Sequence, residues 1–535
     1  MLSIVCSLLL TTCAAEPARA TDPTVSANGP RTADIAVVCP GPFTDALRPW
    51  LEYRRGQGHV VEVISSEGTP AEIKAELRAA YRAEPTLSIV LVGDVDDKSP
   101  LRPGQRAYAV PTHFAPAKIN VVFGSEPEIA TDNWYADFDD DGVPEAAIGR
   151  MPVDSAAELD RLTKRIIAYE QSTDFGPWRR KINFIAGLGG FGAVADAALE
   201  GAAKTLLTNF LPPAYESTMT YASWRSPYFP GGEEFHDTVV RRFNEGCLMW
   251  VYIGHGARRD LDHFYTPDGK VHHIFRAADV GKLQAQKQPP FALFLACYSG
   301  AYDSPQDCLA EEMLRADGGP IAVLGGSRVT MPYAMSILGQ ELMTGFFEGR
   351  PPTIGRLLLD AKRGLALKPR TSELDKQFDA LAAAMMPMAA DLKAQRIEHL
   401  HLFNLLGDPL LRLKHPELIK VEAPSEVRAG ESFAANVSAP IAGRTDVELA
   451  IRRDRLRLPP REDRENYIPG PPVQYVRNDF KEATQAALPA GSFEWLLAPP
   501  AEVRGDYHVR VYVEGKDSFA LGSAPVKVRP PVKTK

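Results

Sequence analysis

Residues Phe291–Ser327 read FALFLACYSGAYDSPQDCLAEEMLRADGGPIAVLGGS. An apolar run of strand length, FALFLAC, precedes the amphipathic segment QDCLAEEMLRADGG, which stops on glycines, and a second apolar run, PIAVLGG, follows. Strand, helix, strand is the repeating unit of a parallel sheet. The first run also breaks off at a thiol, Cys297, beside the turn Tyr-Ser-Gly. A cysteine in such a place is most often a small hydrophobe, so its chemistry has to be argued from the rest of the chain.

The same alternation extends upstream. CLMWVYIGHG (247–256) reads as a strand behind the helix FHDTVVRRFNEG, and KINFIAG as a strand before the helix DAALEGAAKTLLTNF. Earlier still, DIAVVC, HVVEVISS and LSIVLVGDV are strands separated by the helices FTDALRPWLEYRRGQG and PAEIKAELRAAYRAE. The predicted class is α/β: two consecutive Rossmann-like three-layer units with mostly parallel sheets, over residues 34–175 and 176–415. Beyond FNLLGDPLLRL, short alternating strands with Pro/Gly turns (SFAANVSAP, DVELAIRR, DYHVRVYVEG) predict a C-terminal β-sandwich over 418–530.

A chain of 535 residues with 45% hydrophobic residues is globular and long enough for several cores. Its 60 basic and 68 acidic residues leave a formal charge of -8, which offers nucleic acid no electrostatic attraction. The start, MLSIVCSLLLTTCAAEPARATDPTV, reads as an export signal over residues 1–20 rather than a membrane span. LLTTC has the form of a bacterial lipoprotein signal, with Cys13 lipidated; the other reading is a cut after Ala20. The expected location is outside the cytoplasm: periplasmic, on the cell surface or secreted, with membrane contact only through a lipid at Cys13. The remaining cysteines, Cys39, Cys247, Cys297 and Cys308, are too few for a disulfide framework.

Ligands of an open parallel sheet gather outside the carboxyl ends of its strands. CLMWVYI delivers Gly254-His255-Gly256 to that edge and FALFLA delivers Cys297, so the two can face each other across neighbouring strands. An imidazole beside a thiol raises its thiolate fraction or takes its proton during attack. The N–H groups of Gly256 and Cys297 are placed to hold a developing oxyanion, and the flanking glycines admit a substrate backbone. An isolated Gly-His-Gly is more often a packed turn; the pair with a strand-ending cysteine is what points to acyl transfer.

VYIGHG followed by LFLACYSG resembles the gingipain family of cysteine peptidases, in the caspase-like clan. The similarity continues through LVGDV, DNWYADFDDDGVPEAAIGRMP, LAEEMLRADGGPIAVLGGS and NLLGDPLLRL, over roughly residues 34–413. It implies two caspase-like α/β units followed by an immunoglobulin-like domain. It also implies Cys297 as nucleophile, His255 as its base, and an oxyanion site at the Gly256 and Cys297 amides. The family's acidic residue that orients the histidine follows the first strand of the second unit. Here that place, around Leu188, holds no carboxylate, so a dyad without a third member is expected. By the same resemblance, basic substrates would be read by an acid such as Asp196, with an aromatic wall at Tyr333. Asp196 and Glu200 at helical spacing equally suit a solvated pair.

In DFDDDGVPE, Asp137, Asp139 and Asp141 alternate ahead of Gly142, and Glu145 takes the ninth position, which matches the opening of a calcium loop. Ile148 at the twelfth position rules out a complete EF-hand. A structural calcium ion is expected there, with Asp132 a further candidate ligand, and no organic cofactor. His263, His272 and His273 lack zinc-hydrolase spacing, Ser327 lacks a G-x-S-x-G frame, and Gly407-Asp408-Pro409 reads as a turn. The leading expectation is an exported cysteine endopeptidase acting on proteins or peptides through a thioester. The alternatives are a surface-attachment transpeptidase of the same chemistry and an inactive binding scaffold.

Overall fold

The computed structural model describes residues 33–81, 87–95, 108–188, 210–226, 228–385, 391–451, 467, 469 and 481–531. In the first half, β1 is Ile35–Cys39, β2 Val61–Ser65, β3 Ser88–Val92, β4 His113–Pro116, β5 Glu128–Thr131 and β6 Ala147–Met151. In the second, β7 is Lys181–Ala186, β8 Glu216–Tyr221, β9 Met249–Ile253, β10 His263–Tyr265, β11 Val271–His273, β12 Phe291–Leu295, β13 Ala322–Gly326 and β14 Phe403–Leu406. The two halves share one sheet, ordered β2-β1-β3-β6-β14-β13-β12-β9-β7-β8 among the described residues. β14 joins them: it runs antiparallel to β13 and parallel to β6. The strands are therefore parallel within each half and opposed between halves. The carboxyl edge of the second half meets the amino edge of the first.

Strict alternation along β1 and β3 explains the layers. Ile35, Val37, Val90 and Val92 pack with Leu47 and Trp50 of the helix Thr44–Gly56 and with Leu159 and Leu162 of the helix Ala156–Gln171. Ala36, Val38, Ile89 and Leu91 pack on the other face with Ile73 and Leu77 of the helix Pro70–Ala80. Both faces of a parallel sheet are buried, so its strands are apolar throughout. The helix Pro70–Ala80 starts on a capping box in which Glu72 accepts the Thr69 N–H at 2.7 Å and Thr69 Oγ1 accepts the Glu72 N–H at 3.3 Å. The helix behind Cys297 is shorter than its periodicity predicts, Leu309–Arg315, because Cys308 caps it and Glu311 turns back to accept the Cys308 N–H at 2.8 Å.

The turn Gly407-Asp408-Pro409 is an anchor. Asp408 accepts from Trp50 Nε1 at 2.6 Å and from Arg54 Nη2 at 2.6 Å, while Arg54 also pairs with Glu170 at 2.9 Å. This buried set ties the exit of β14 to two helices of the first half.

After residue 416 the chain forms a six-stranded and a three-stranded sheet that share an apolar core, including Val437 and Leu497 from one and Val447, Leu449 and Val509 from the other. The sandwich docks on the second half. Glu448 pairs with Arg180 at 2.6 Å and Arg510 at 2.8 Å, and Tyr512 donates to the carbonyls of Phe175 and Gly176 at 2.7 and 2.8 Å.

Candidate active site

The register of β9 against β12 places the two residues of interest. Ile253 pairs with Leu295 in parallel, so His255 and Cys297 each stand two residues beyond the last rung, on adjoining strand tips. Between them, Gly256 lies so close to the Cys297 backbone that a Cβ there would sit 2.5 Å from the Cys297 carbonyl oxygen. Only glycine fits. Neither the Gly256 nor the Cys297 N–H is taken by a backbone acceptor among the described residues.

Cys297 is the half-buried cysteine; Cys39, Cys247 and Cys308 are buried. Burial pushes the Cys39 and Cys247 thiols up to about 12 and Cys308 well above its ordinary value, so those three are inert packing groups. Cys297 Sγ instead accepts the Thr330 N–H at 3.3 Å and lies 3.8 Å from the Thr330 carbonyl oxygen. The donor comes from the loop after β13, which is held in turn by buried His399: its Nε2 accepts the Met331 N–H at 2.7 Å, and its Nδ1–H donates to the Gln395 carbonyl at 2.7 Å.

Tyr298, next to Cys297, has φ +53, a left-handed conformation that costs a non-glycine residue about 1 kcal/mol or more. The strained turn is braced from the other half of the molecule. Tyr298 donates from its hydroxyl to Glu126 at 2.8 Å, and the Arg258 guanidinium lies 4.7 Å from the Tyr298 ring while also pairing with Glu126. Glu126 precedes β5, so a first-half hairpin reaches the catalytic edge.

The histidine side is built on Tyr252. Its hydroxyl donates to the His255 carbonyl at 2.6 Å and accepts the Asp262 N–H at 3.2 Å. Gly256 and Leu261 form an antiparallel bridge, which sets His255 opposite Asp262 across the turn.

Residues 28–414, most of the chain and all of this site, match the sequence family described as peptidase family C25. The chain belongs to peptidase family C25. Similar curated proteins include Lys-gingipain HG66 of Porphyromonas gingivalis, 24% identical over 306 residues that cover 55% of this chain and 15% of the relative. Lys-gingipain W83 of the same organism is 28% identical over 150 residues, 26% of this chain and 7% of the relative. The chain thus spans a small part of the length of these relatives. Among solved structures, the Arg-specific cysteine proteinase gingipain R superposes with a TM-score of 0.54 at 19% identity, covering 93% of this chain and 98% of that one. A complex of the Porphyromonas gingivalis RgpB pro- and mature domains gives 0.53 at 19% identity, over 93% and 100% of the two chains. These neighbours share the α/β fold with its C-terminal β-sheets.

The remaining candidates in this C25 chain are scattered. Asp196 and Glu200 lie outside the described residues. Tyr333 is buried; its hydroxyl donates to Asp379 at 2.9 Å and accepts from Arg396 at 2.8 Å, and Phe378 stacks on its ring, so it can shape a cleft only from behind. Asp137, Asp139, Asp141 and Glu145 do converge, with one ligand oxygen from each within 4.8 Å of the others. Burial raises the Asp137 carboxyl, and burial followed by the three aspartates raises Glu145. Asp137 Oδ1 is buried without a hydrogen-bond partner, the condition a hard cation relieves. Asp132 is not part of this group: Arg150 clamps it at 2.7 Å through both Nε and Nη2. Sequence reasoning missed Thr330 and Glu126, which folding carries in from distant segments, and Tyr252 and Asp262, which stand on the strand and turn around His255 but follow no recognised motif.

Proposed function

We propose that this chain is a cysteine endopeptidase. The observation that carries the reading is the β9–β12 register, which sets an imidazole and a half-buried thiol on adjoining strand tips. In this mechanism His255 takes the Cys297 proton, the resulting Sγ anion attacks the peptide carbonyl, and the Gly256 and Cys297 N–H groups hold the oxyanion. His255 then returns the proton to the leaving amine, and water hydrolyses the thioester.

An export signal over residues 1–20, with lipidation of Cys13 or cleavage after Ala20, remains our reading of the N-terminus, and the C-terminal sandwich is read as immunoglobulin-like. Two relatives are named for Lys or Arg specificity, and we extend a preference for basic residues to this chain, with Asp196 as the acid. The acidic loop is proposed to hold a structural calcium ion through Asp137, Asp139, Asp141 and Glu145; the convergence of four carboxylates and the unpartnered Asp137 oxygen support it.

Incubation with a peptidyl acyloxymethyl ketone tests the core of this reading. Covalent mass on Cys297 is expected in the wild type, none in Cys297→Ala, and at least about tenfold slower labelling in His255→Ala. Wild-type protein that takes up no label, and cleaves no member of a positional-scanning peptide library, would show the chain to be a scaffold. The same library reads the residue preference.

A further inference from the structure

The strand β7 ends at Ala186-Gly187-Leu188 without an acidic side chain, yet the space beside it contains one. A Cβ built on Gly187 would lie 3.3 Å from Asp262 Oδ2 and 2.9 Å from the Tyr252 hydroxyl. The carboxylate reaches β7 from the turn that follows His255. That turn is closed by the Gly256–Leu261 bridge and by Ala257 N–H donating to the Asp260 carbonyl at 2.8 Å, so residues 255 and 262 are cross-strand neighbours. Side chains directly opposite each other on an antiparallel pair have Cβ atoms about 5 Å apart. The Tyr252 hydroxyl bridges the two backbones from below, through the His255 carbonyl and the Asp262 N–H. Oδ1 of Asp262 accepts the His263 N–H at 2.8 Å, which fixes the carboxylate's rotation and puts Oδ2 on the Gly187 side.

We propose that Asp262 is the positioning carboxylate of His255, supplied by the histidine's own turn in place of an acid on the strand β7. The inference rests on the cysteine-peptidase reading. Its charge acts in a half-buried setting: burial raises the Asp262 carboxyl, while the His263 N–H and then the His255 and His263 cations oppose the rise. Among the described residues, the groups around it are His255, His263, Tyr252 and the bare backbone of Gly187. A carboxylate held there favours the imidazolium that forms when Cys297 gives up its proton, and it keeps the ring in the orientation that takes that proton. Glycine at 187 is then a requirement, because a side chain would displace both Tyr252 and Asp262.

The test compares wild type with Asp262→Asn and Asp262→Glu on an internally quenched peptide that the wild type cleaves. With Asp262→Asn, kcat is expected to fall about 10- to 100-fold with KM within about twofold. The alkaline limb of kcat/KM is expected to move to lower pH, because the imidazolium loses its counter-charge. Asp262→Glu should recover part of kcat, and the melting temperatures of the three proteins should agree. An Asp262→Asn enzyme with unchanged kcat and an unmoved alkaline limb overturns the proposal, as does a loss that follows melting temperature with no recovery in Asp262→Glu. Iodoacetamide alkylation of Cys297 across pH supplies a readout without substrate. If the wild type cleaves no peptide, the peptidase reading fails, and slower alkylation of Asp262→Asn at low pH still decides whether Asp262 acts on the pair.

Discussion

At the scale of single residues, the site depends on keeping one thiol different from three others. Cys39, Cys247 and Cys308 are sealed in apolar cores, whereas Cys297 stands at a strand tip with an N–H pointed at its sulfur. The loop that supplies the N–H leans on His399, a buried histidine that must be neutral to accept from Met331; burial pushes it down to about 4. The unfolded chain takes up a proton on this residue below about 6.5, whereas the folded chain does so only near 4. Between those limits the unfolded state binds more protons, so stability falls as pH is lowered from about 6.5 to 4. His401, pushed down to about 4 by burial, adds in the same direction. We expect the melting temperature to drop across this window, and to drop less steeply in His399→Gln, as read by calorimetry at pH 4.5 and 6.5. Equal slopes in the two proteins would remove His399 from the account.

Elements show where local pattern sufficed. The βαβ reading of Phe291–Ser327 and the strand reading of CLMWVYIGHG place His255 and Cys297 at one edge because apolar runs bounded by glycine leave little choice of strand end. The acidic loop was equally legible, since alternate aspartates before a glycine project ligands to one side. Metal removal tests it. Addition of EGTA is expected to lower the melting temperature of the wild type by several degrees, and an Asp139→Asn/Asp141→Asn double variant should melt lower and no longer respond to calcium. A wild type indifferent to both EGTA and calcium would leave the loop a solvated acidic turn. Pairings that cross elements were hidden. Thr330, 33 residues from Cys297, reaches the sulfur through the β12–β13 register. Glu126, 172 residues from Tyr298, reaches the turn after Cys297 because the halves are antiparallel.

For the whole molecule, the distinctive feature is that no single half closes by itself. β14, drawn from beyond residue 400, completes the sheet between β6 and β13, and the sandwich contributes Tyr512, Phe519 and Leu521 to the main core. Glu448 is the joint: its carboxylate neutralises Arg180 of the α/β part and Arg510 of the sandwich, all three buried. Glu448→Ala would leave the Arg180 guanidinium to Glu216 at 3.9 Å and that of Arg510 to the Tyr215 carbonyl at 3.4 Å, and is expected to cost about 3 kcal/mol, measured by guanidinium denaturation followed by tryptophan fluorescence. A loss under about 0.5 kcal/mol would mean that the joint relaxes into water. What the sequence alone determined was the succession of strands and helices, the strand-end positions of the thiol and imidazole, and the ligand spacing of the acidic loop, because each depends on residues a few positions apart. Only the tertiary structure decided that the two halves share one sheet, that Glu126 reaches Tyr298 and Thr330 reaches Cys297, and that a carboxylate from the turn after His255 occupies the place beside Gly187. Those contacts join residues with no common periodicity, and they exist only once burial of both sheet faces has fixed the strand order and register.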